Sequence, residues 1–161
     1  MEDPIRDMLV NLSGLPSFHE LEESISLQQI LIRQPIAPER SIVMDWVEKH
    51  FARSWADEVA AAFSHQPITC FVAQKEGEIL GFACYEATKK NFFGPTGVSE
   101  TARGMGLGKV LLMKSLEAMK NMGYAYAIIG GVRAPSFYEK AVRAQSIAES
   151  GLSIYQDMLK A

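Results

Sequence analysis

Residues 101–112 read TARGMGLGKVLL: Gly104, Gly106 and Gly108 alternate between Arg103 and Lys109, and an apolar run follows at once. Glycine inside a helix costs about 1 kcal/mol relative to alanine, so three of them at a helix mouth need a reason. The phosphate loop of nucleotide hydrolases requires glycine, four residues, then Gly-Lys followed by serine or threonine. Here Arg103 occupies the first glycine position and Val110 follows Lys109, so that pattern fails at both ends. The dinucleotide fingerprint places its third glycine three residues after its second. Lys109 stands there instead, and no acid lies near the end of the next apolar run to hold a ribose. A simpler chemistry fits. A turn without β-carbons lets backbone amides approach an anion, and those amides open a helix whose dipole favours negative charge by about 0.3–1 kcal/mol. Arg103 and Lys109 add positive charge at the same mouth, so a pyrophosphate suits it. A tight turn with close packing would use the same glycines.

The elements around this stretch follow from hydrophobic period. The spacing predicts an amphipathic helix over residues 107–122, with Leu107, Leu111, Ala118 and Met122 on one side, Leu112, Leu116 and Met119 nearby, and Gly123 to end it. Residues 92–98 read as a strand interrupted by Gly94-Pro95, hence bent or bulged. Residues 124–130 read as a buried strand, so strand, helix and strand imply a parallel pair with a right-handed crossover. Upstream, residues 68–74 and 79–87 form a hairpin around Lys75-Glu76-Gly77-Glu78. A strand over 30–36 and helices over 38–50 and 56–63 precede it, and a helix over 135–143 and a strand over 154–159 close the chain. The expected fold class is α/β, a mixed sheet flanked by helices.

At 161 residues, 48% hydrophobic and 22% charged, the chain can bury a sizeable core. Its formal charge of −3 argues against a nucleic-acid partner. No run has the length and apolarity of a membrane span or a secretory leader, so a cytoplasmic location is expected. Cys70 and Cys84 sit in apolar runs and read as small buried hydrophobes, neither a disulfide framework nor a zinc site. Residues 1–24 carry six acids against Arg6 and are expected to hold a short helix over 5–12. They read as an acidic N-terminal extension to a main domain over residues 25–161.

With a second motif downstream, the glycine stretch resembles the GNAT superfamily of acetyl-CoA-dependent N-acetyltransferases. The superfamily signature, Gln/Arg-x-x-Gly-x-Gly/Ala, is met by Arg103, Gly106 and Gly108. Its later motif, roughly Asn-x-x-Ala-x-x-Phe-Tyr-Glu-Lys-x-Gly-Phe, is partly met by Ala134, Phe137, Tyr138, Glu139 and Lys140. The chain departs from it at Gly131, where many members have asparagine, and at Val142-Arg143, in place of Gly-Phe. The resemblance implies a GNAT-type, mostly antiparallel twisted sheet and transfer of an acetyl group from acetyl-CoA to an unidentified amine by direct attack, with no metal. A non-catalytic acyl-CoA-binding sensor or interaction module is the alternative. It further implies that amides of Arg103, Gly104, Met105, Gly106, Leu107, Gly108 and Lys109 hold the pyrophosphate of coenzyme A. Backbone groups of Thr96, Gly97 and Val98 would pair with the pantetheine arm like an added strand, where the strands carrying Val98 and Ile128 to Gly130 splay apart. The partners expected are acetyl-CoA and a small-molecule or peptide amine, with neither nucleic acid nor membrane; a homodimer is compatible with the sequence.

That chemistry asks for a base and an acid. A primary amine with a pKa near 10.4 is neutral in only about one molecule per thousand at pH 7, so its proton needs a way out. Tyr138 resembles the superfamily tyrosine that protonates or hydrogen-bonds the departing thiolate. For the base, Glu86 is the best single candidate because it breaks an otherwise apolar run, with a chain of waters as the other route. His19, His50 and His65 are isolated. Trp46, Phe51, Trp55 and Phe63 read as helical core of which one or two could line an amine pocket, and Asp45 or Glu48 could attract a cation.

Overall fold

In the computed structural model, which describes residues 4–161, the chain runs β1 (Arg6–Asn11), α1 (His19–Leu27), β2 (Leu31–Arg33), α2 (Arg40–His50), α3 (Arg53–Phe63), β3 (Cys70–Lys75), β4 (Glu78–Tyr85), β5 (Phe92–Val98), α4 (Leu107–Asn121), β6 (Tyr126–Val132), α5 (Pro135–Val142) and β7 (Gln145–Ser146). One seven-stranded sheet has the order β2-β3-β4-β5-β6-β1-β7. Neighbours are antiparallel except β5 and β6, which run parallel with α4 as their crossover. The mixed sheet and its crossover are those the hydrophobic period predicts.

Two cores form because both faces of the sheet are apolar. On one face α4 buries Leu107, Val110, Leu111, Leu112, Leu116 and Met119 against Ala73, Ala83, Phe93, Ala127 and Ile129. On the other, α2 and α3 lay Val43, Val47, Val59, Ala62 and Phe63 on Cys70, Val72, Phe82 and Cys84. The two cysteines face each other across β3 and β4 as free, buried thiols, as the apolar context predicts. Among the described residues, no helix is long and apolar enough to cross a membrane.

Two sequence expectations change. Residues 5–12 are not helical: Arg6–Asn11 is a strand pairing with β6 on one side and β7 on the other. Ile5, Met8, Leu9 and Leu12 have helical spacing, but Met8, Val10 and Leu12 are fully buried in the α4-side core, and pairing with β6 overrides local propensity. The strand expected over 154–159 is absent too. Positive φ at Ser153 (49°) and Asp157 (57°) breaks the extended chain, Ser153–Tyr155 forms a helical turn, and β7 closes the sheet instead. The strand expected over 30–36 contracts to β2, with Pro35 two residues beyond it.

The β2–α2 junction is tied by one carboxylate. Glu39 accepts both guanidinium nitrogens of Arg33 (2.8 and 2.6 Å) and the amide of Ile36 (2.9 Å), while Arg33 Nε donates to Gln74 on β3 (2.8 Å). These bonds, from Arg33 first and then Ile36, hold the Glu39 carboxyl down at about 2. A depressed folded-state pKa means the stabilisation is full above pH 4.5 and is lost as pH falls toward 2. Glu39→Gln is expected to cost about 1 kcal/mol at neutral pH and to flatten this part of the acid limb, read from urea melts of both proteins between pH 2 and 7.

Candidate active site

The loop from β5 to α4 carries the glycine stretch. A helical turn at Glu100–Ala102 buries Ala102, and the chain then passes through Gly104 and Gly106, both left-handed at φ +87°. That conformation suits glycine because a β-carbon there meets backbone. Gly106 is the N-cap of α4, and Leu21 of α1 packs so close that a β-carbon at this position would lie 2.7 Å from its Cδ1. The first helical bond runs from the Val110 amide to the Gly106 carbonyl (3.1 Å). Among the described residues, no acceptor satisfies the amides of Gly104, Met105, Gly106, Leu107, Gly108 and Lys109. All of these residues except Met105 border a cavity of about 240 Å³ shared with Arg103, Val98 and Phe137. Six free donors, a helix dipole and two cations could hold a polyanion. A neighbouring cavity brings Lys49 and His50 from the end of α2 to the same Arg103, with Glu100 also in its lining.

Beside this loop the sheet opens. Parallel pairing of β5 with β6 covers Phe92↔Ile128 and Phe93↔Ile129 and goes no further. Each strand bulges at that level. On β5, Gly94 (φ +121°) and Pro95 together oppose the single residue Cys84 of β4. On β6, Gly130 and Gly131 together oppose Asp7 of β1, whose side chain accepts the Gly131 amide (3.0 Å). Gly131 is left-handed (φ +63°), a conformation that asparagine, the residue many GNAT members have here, also adopts more readily than most. Beyond the bulge, Thr96, Gly97 and Val98 pair with β4 alone, so their other edge is open. Gly97 lets the ring of Phe51 lie directly on the strand.

The opening is a cavity of about 300 Å³ between Phe93, Gly94 and Pro95 on one strand and Gly130 and Gly131 on the other. Trp55 and Glu58 of α3, Thr88, Arg133 and Tyr155 also line it, together with Ile5 and Leu152. Gly130 has no room for a side chain because the Tyr155 hydroxyl and the Phe92 ring press on it. The Glu58 carboxylate accepts the Thr88 hydroxyl. Burial pushes its pKa above the usual carboxylate value, against the opposing effect of that bond. Tyr138, on α5, packs edge-on to Phe93 with centroids 6.5 Å apart, and burial raises its phenol to about 12. It is therefore protonated at neutral pH, one ring away from the opening.

The other sequence candidates are placed less centrally. Glu86 sits at φ +60° in the β4–β5 connection, where its carboxylate accepts the Asn91 amide and the Tyr124 hydroxyl (3.0 Å) and it lines neither cavity. Of the aromatics, Trp55 reaches the opening, Phe63 is core, and Trp46 and Phe51 pack around Phe82. Asp45 and Glu48 are exposed on α2. Glu58 escapes a sequence reading because it follows Asp57 on a short amphipathic helix, and nothing local separates the half-buried acid from the exposed one.

Known structures share this architecture. The GCN5-related glucosamine N-acetyltransferase region of a fungal multi-domain GH3 β-N-acetylglucosaminidase superposes with a TM-score of 0.74 at 12% identity, over 91% of this chain and 20% of that one. A GCN5-related N-acetyltransferase from Sphaerobacter thermophilus gives 0.67 at 21% identity, over 91% of this chain and 50% of that one. The chain thus spans about a fifth and half, respectively, of these two proteins. A GNAT family acetyltransferase from Brucella melitensis, in complex with acetyl-CoA, gives 0.56 at 19% identity, over 74% of this chain and 88% of that one. Among curated proteins, none matches the sequence significantly. The model of the acetyltransferase (GNAT) family matches residues 30–142, from β2's threshold through the glycine loop to the end of α5, and the chain belongs to that family.

Proposed function

We propose that the protein transfers an acetyl group from acetyl-CoA to the nitrogen of a small amine by direct attack. The observation that carries this reading is the junction of two sets of unsatisfied backbone groups: the amides of Gly104 to Lys109 and the open edge of Thr96 to Val98. The first suits a pyrophosphate and the second an amide-bearing arm that adds to the sheet like a strand. Such an arm ends at the opening between the bulges, and the Brucella melitensis relative was crystallised with acetyl-CoA.

In this reading Glu58, rather than Glu86, takes the proton from the amine, because it lines the opening while Glu86 is engaged in its own turn. A raised carboxylate pKa makes it a better match for that task at neutral pH. The amine nitrogen bonds to the thioester carbon, the carbon–sulfur bond breaks, and Tyr138 gives its hydroxyl proton to the departing sulfur. Backbone donors fix the donor's position, and Trp55, Phe93 and Pro95 keep water from the thioester.

Three outcomes test the parts. Gly108 is helical and its added β-carbon would meet nothing nearer than Val98 at 3.8 Å, so Gly108→Val leaves stability within about 1 kcal/mol while crowding the anion cavity. Its affinity for coenzyme A, read by titration calorimetry, should fall about tenfold or more; unchanged affinity removes the pyrophosphate assignment. Tyr138→Phe should lower kcat about 10²-fold with coenzyme A affinity retained. Glu58→Gln should lower kcat/KM and erase an acid limb lying above the usual carboxylate range, since the base works only when ionised. The assay throughout is thiol release from acetyl-CoA over a panel of amines. Tight acetyl-CoA binding without turnover on any amine would favour a non-catalytic acyl-CoA sensor instead.

A further inference from the structure

The wall of the 300 Å³ opening contains two formally charged side chains, and they have opposite sign: Glu58 from α3 and Arg133, directly after β6. Among the described residues neither has an ionic partner: Glu58 holds only the Thr88 hydroxyl, and Arg133 makes no ion pair or hydrogen bond. The contrast with Arg33 and Lys114, each closed on an acid at 2.6 and 2.7 Å, is direct. The rest of the wall is aromatic, aliphatic or glycine apart from the Thr88 and Tyr155 hydroxyls. A carboxylate and a guanidinium left unpaired around one cavity call for a ligand that carries both complementary charges.

We propose that the acceptor is an amine that also bears a carboxylate, an amino acid or a close analogue, with its nitrogen at Glu58 and its carboxylate on Arg133. This rests on the acetyl-transfer reading of the same opening. The volume lies at the lower end of small-ligand pockets, which suits a single amino acid better than a peptide chain. Glu58 is half-buried and lies against Thr88, whereas Arg133 is exposed. That order puts the nitrogen inward and the carboxylate outward.

The test pairs amino acids with amines of the same skeleton that lack the carboxylate: phenylalanine with phenethylamine, and lysine with cadaverine. Thiol release is measured with wild type and Arg133→Ala, acetyl-CoA affinity is measured for both, and acceptor binding is read from Trp55 fluorescence in a Trp46→Phe background, which leaves one tryptophan of two. The expected result is a kcat/KM preference for the amino acid of about tenfold or more in wild type that collapses in Arg133→Ala through KM, with acetyl-CoA affinity retained. Equal use of both members of each pair, or a loss in Arg133→Ala confined to acetyl-CoA affinity, would overturn this inference and leave acetyl transfer standing. Saturable amino-acid binding at Trp55 that Arg133→Ala abolishes, with no thiol release, would support the ligand class and overturn acetyl transfer. Neither turnover nor binding would overturn both.

Discussion

Backbone donors and acceptors that leave a sheet must find other partners, because an unpaired buried group costs about 1–3 kcal/mol. The centre of this molecule is organised by that constraint. β5 and β6 run side by side for two residue pairs and then separate. On β6 the opposite edge stays tied to β1, by the pairing of Arg6 with Val132 and by the Asp7 carboxylate on the Gly131 amide. On β5 it is left open over Thr96 to Val98, and a few residues later the turn into α4 leaves six more amides without acceptors. Only residues 99–103 separate these two gaps, so one elongated ligand with amide groups at one end and phosphates at the other could answer both.

The segments at the two ends of the chain do more than flank this centre. β1 lies inside the sheet, and Asp7, only 4% exposed, fixes the β6 bulge while its own amide is held by the Ser150 hydroxyl (2.9 Å). From the other end, Tyr155 packs over Gly130 and forms one wall of the opening. The opening is therefore shaped by a strand from the first residues and a turn from the last, both set against bulges that glycines permit. Glu58 reaches it from α3 through the opposite layer of the fold, which is why the cavity at the glycine loop and the carboxylate approach from different faces of the sheet.

The parts of this site that were legible in the sequence are those whose conformation is local. Gly104 and Gly106 announce a left-handed turn because other residues would be strained there, and Gly94-Pro95 announces a bend within an otherwise regular strand. The α4 helix and the parallel pair around it follow from period alone. What was illegible depends on tertiary placement. Residues 5–12 carry both a helical and a strand pattern, and only the availability of β6 decides between them. Glu58 and Arg133 look like surface charges until Thr88, Gly94 and Gly130 are brought beside them. Glu86 stood out because it interrupts an apolar run, but the cause of that interruption is the β4–β5 turn it ties to Asn91 and Tyr124.

In the proposed reading, the open edge of β5 and the mouth of α4 form one binding surface for the acetyl donor. Amide hydrogen exchange, followed by NMR with and without coenzyme A, tests it most directly. Strong new protection is expected at Thr96 and Val98, whose amides face away from β4, and at Gly104 through Lys109, with the amides of α2, β2 and β3 unchanged. Protection confined to other segments, or none at both of these stretches at saturating coenzyme A, would contradict it.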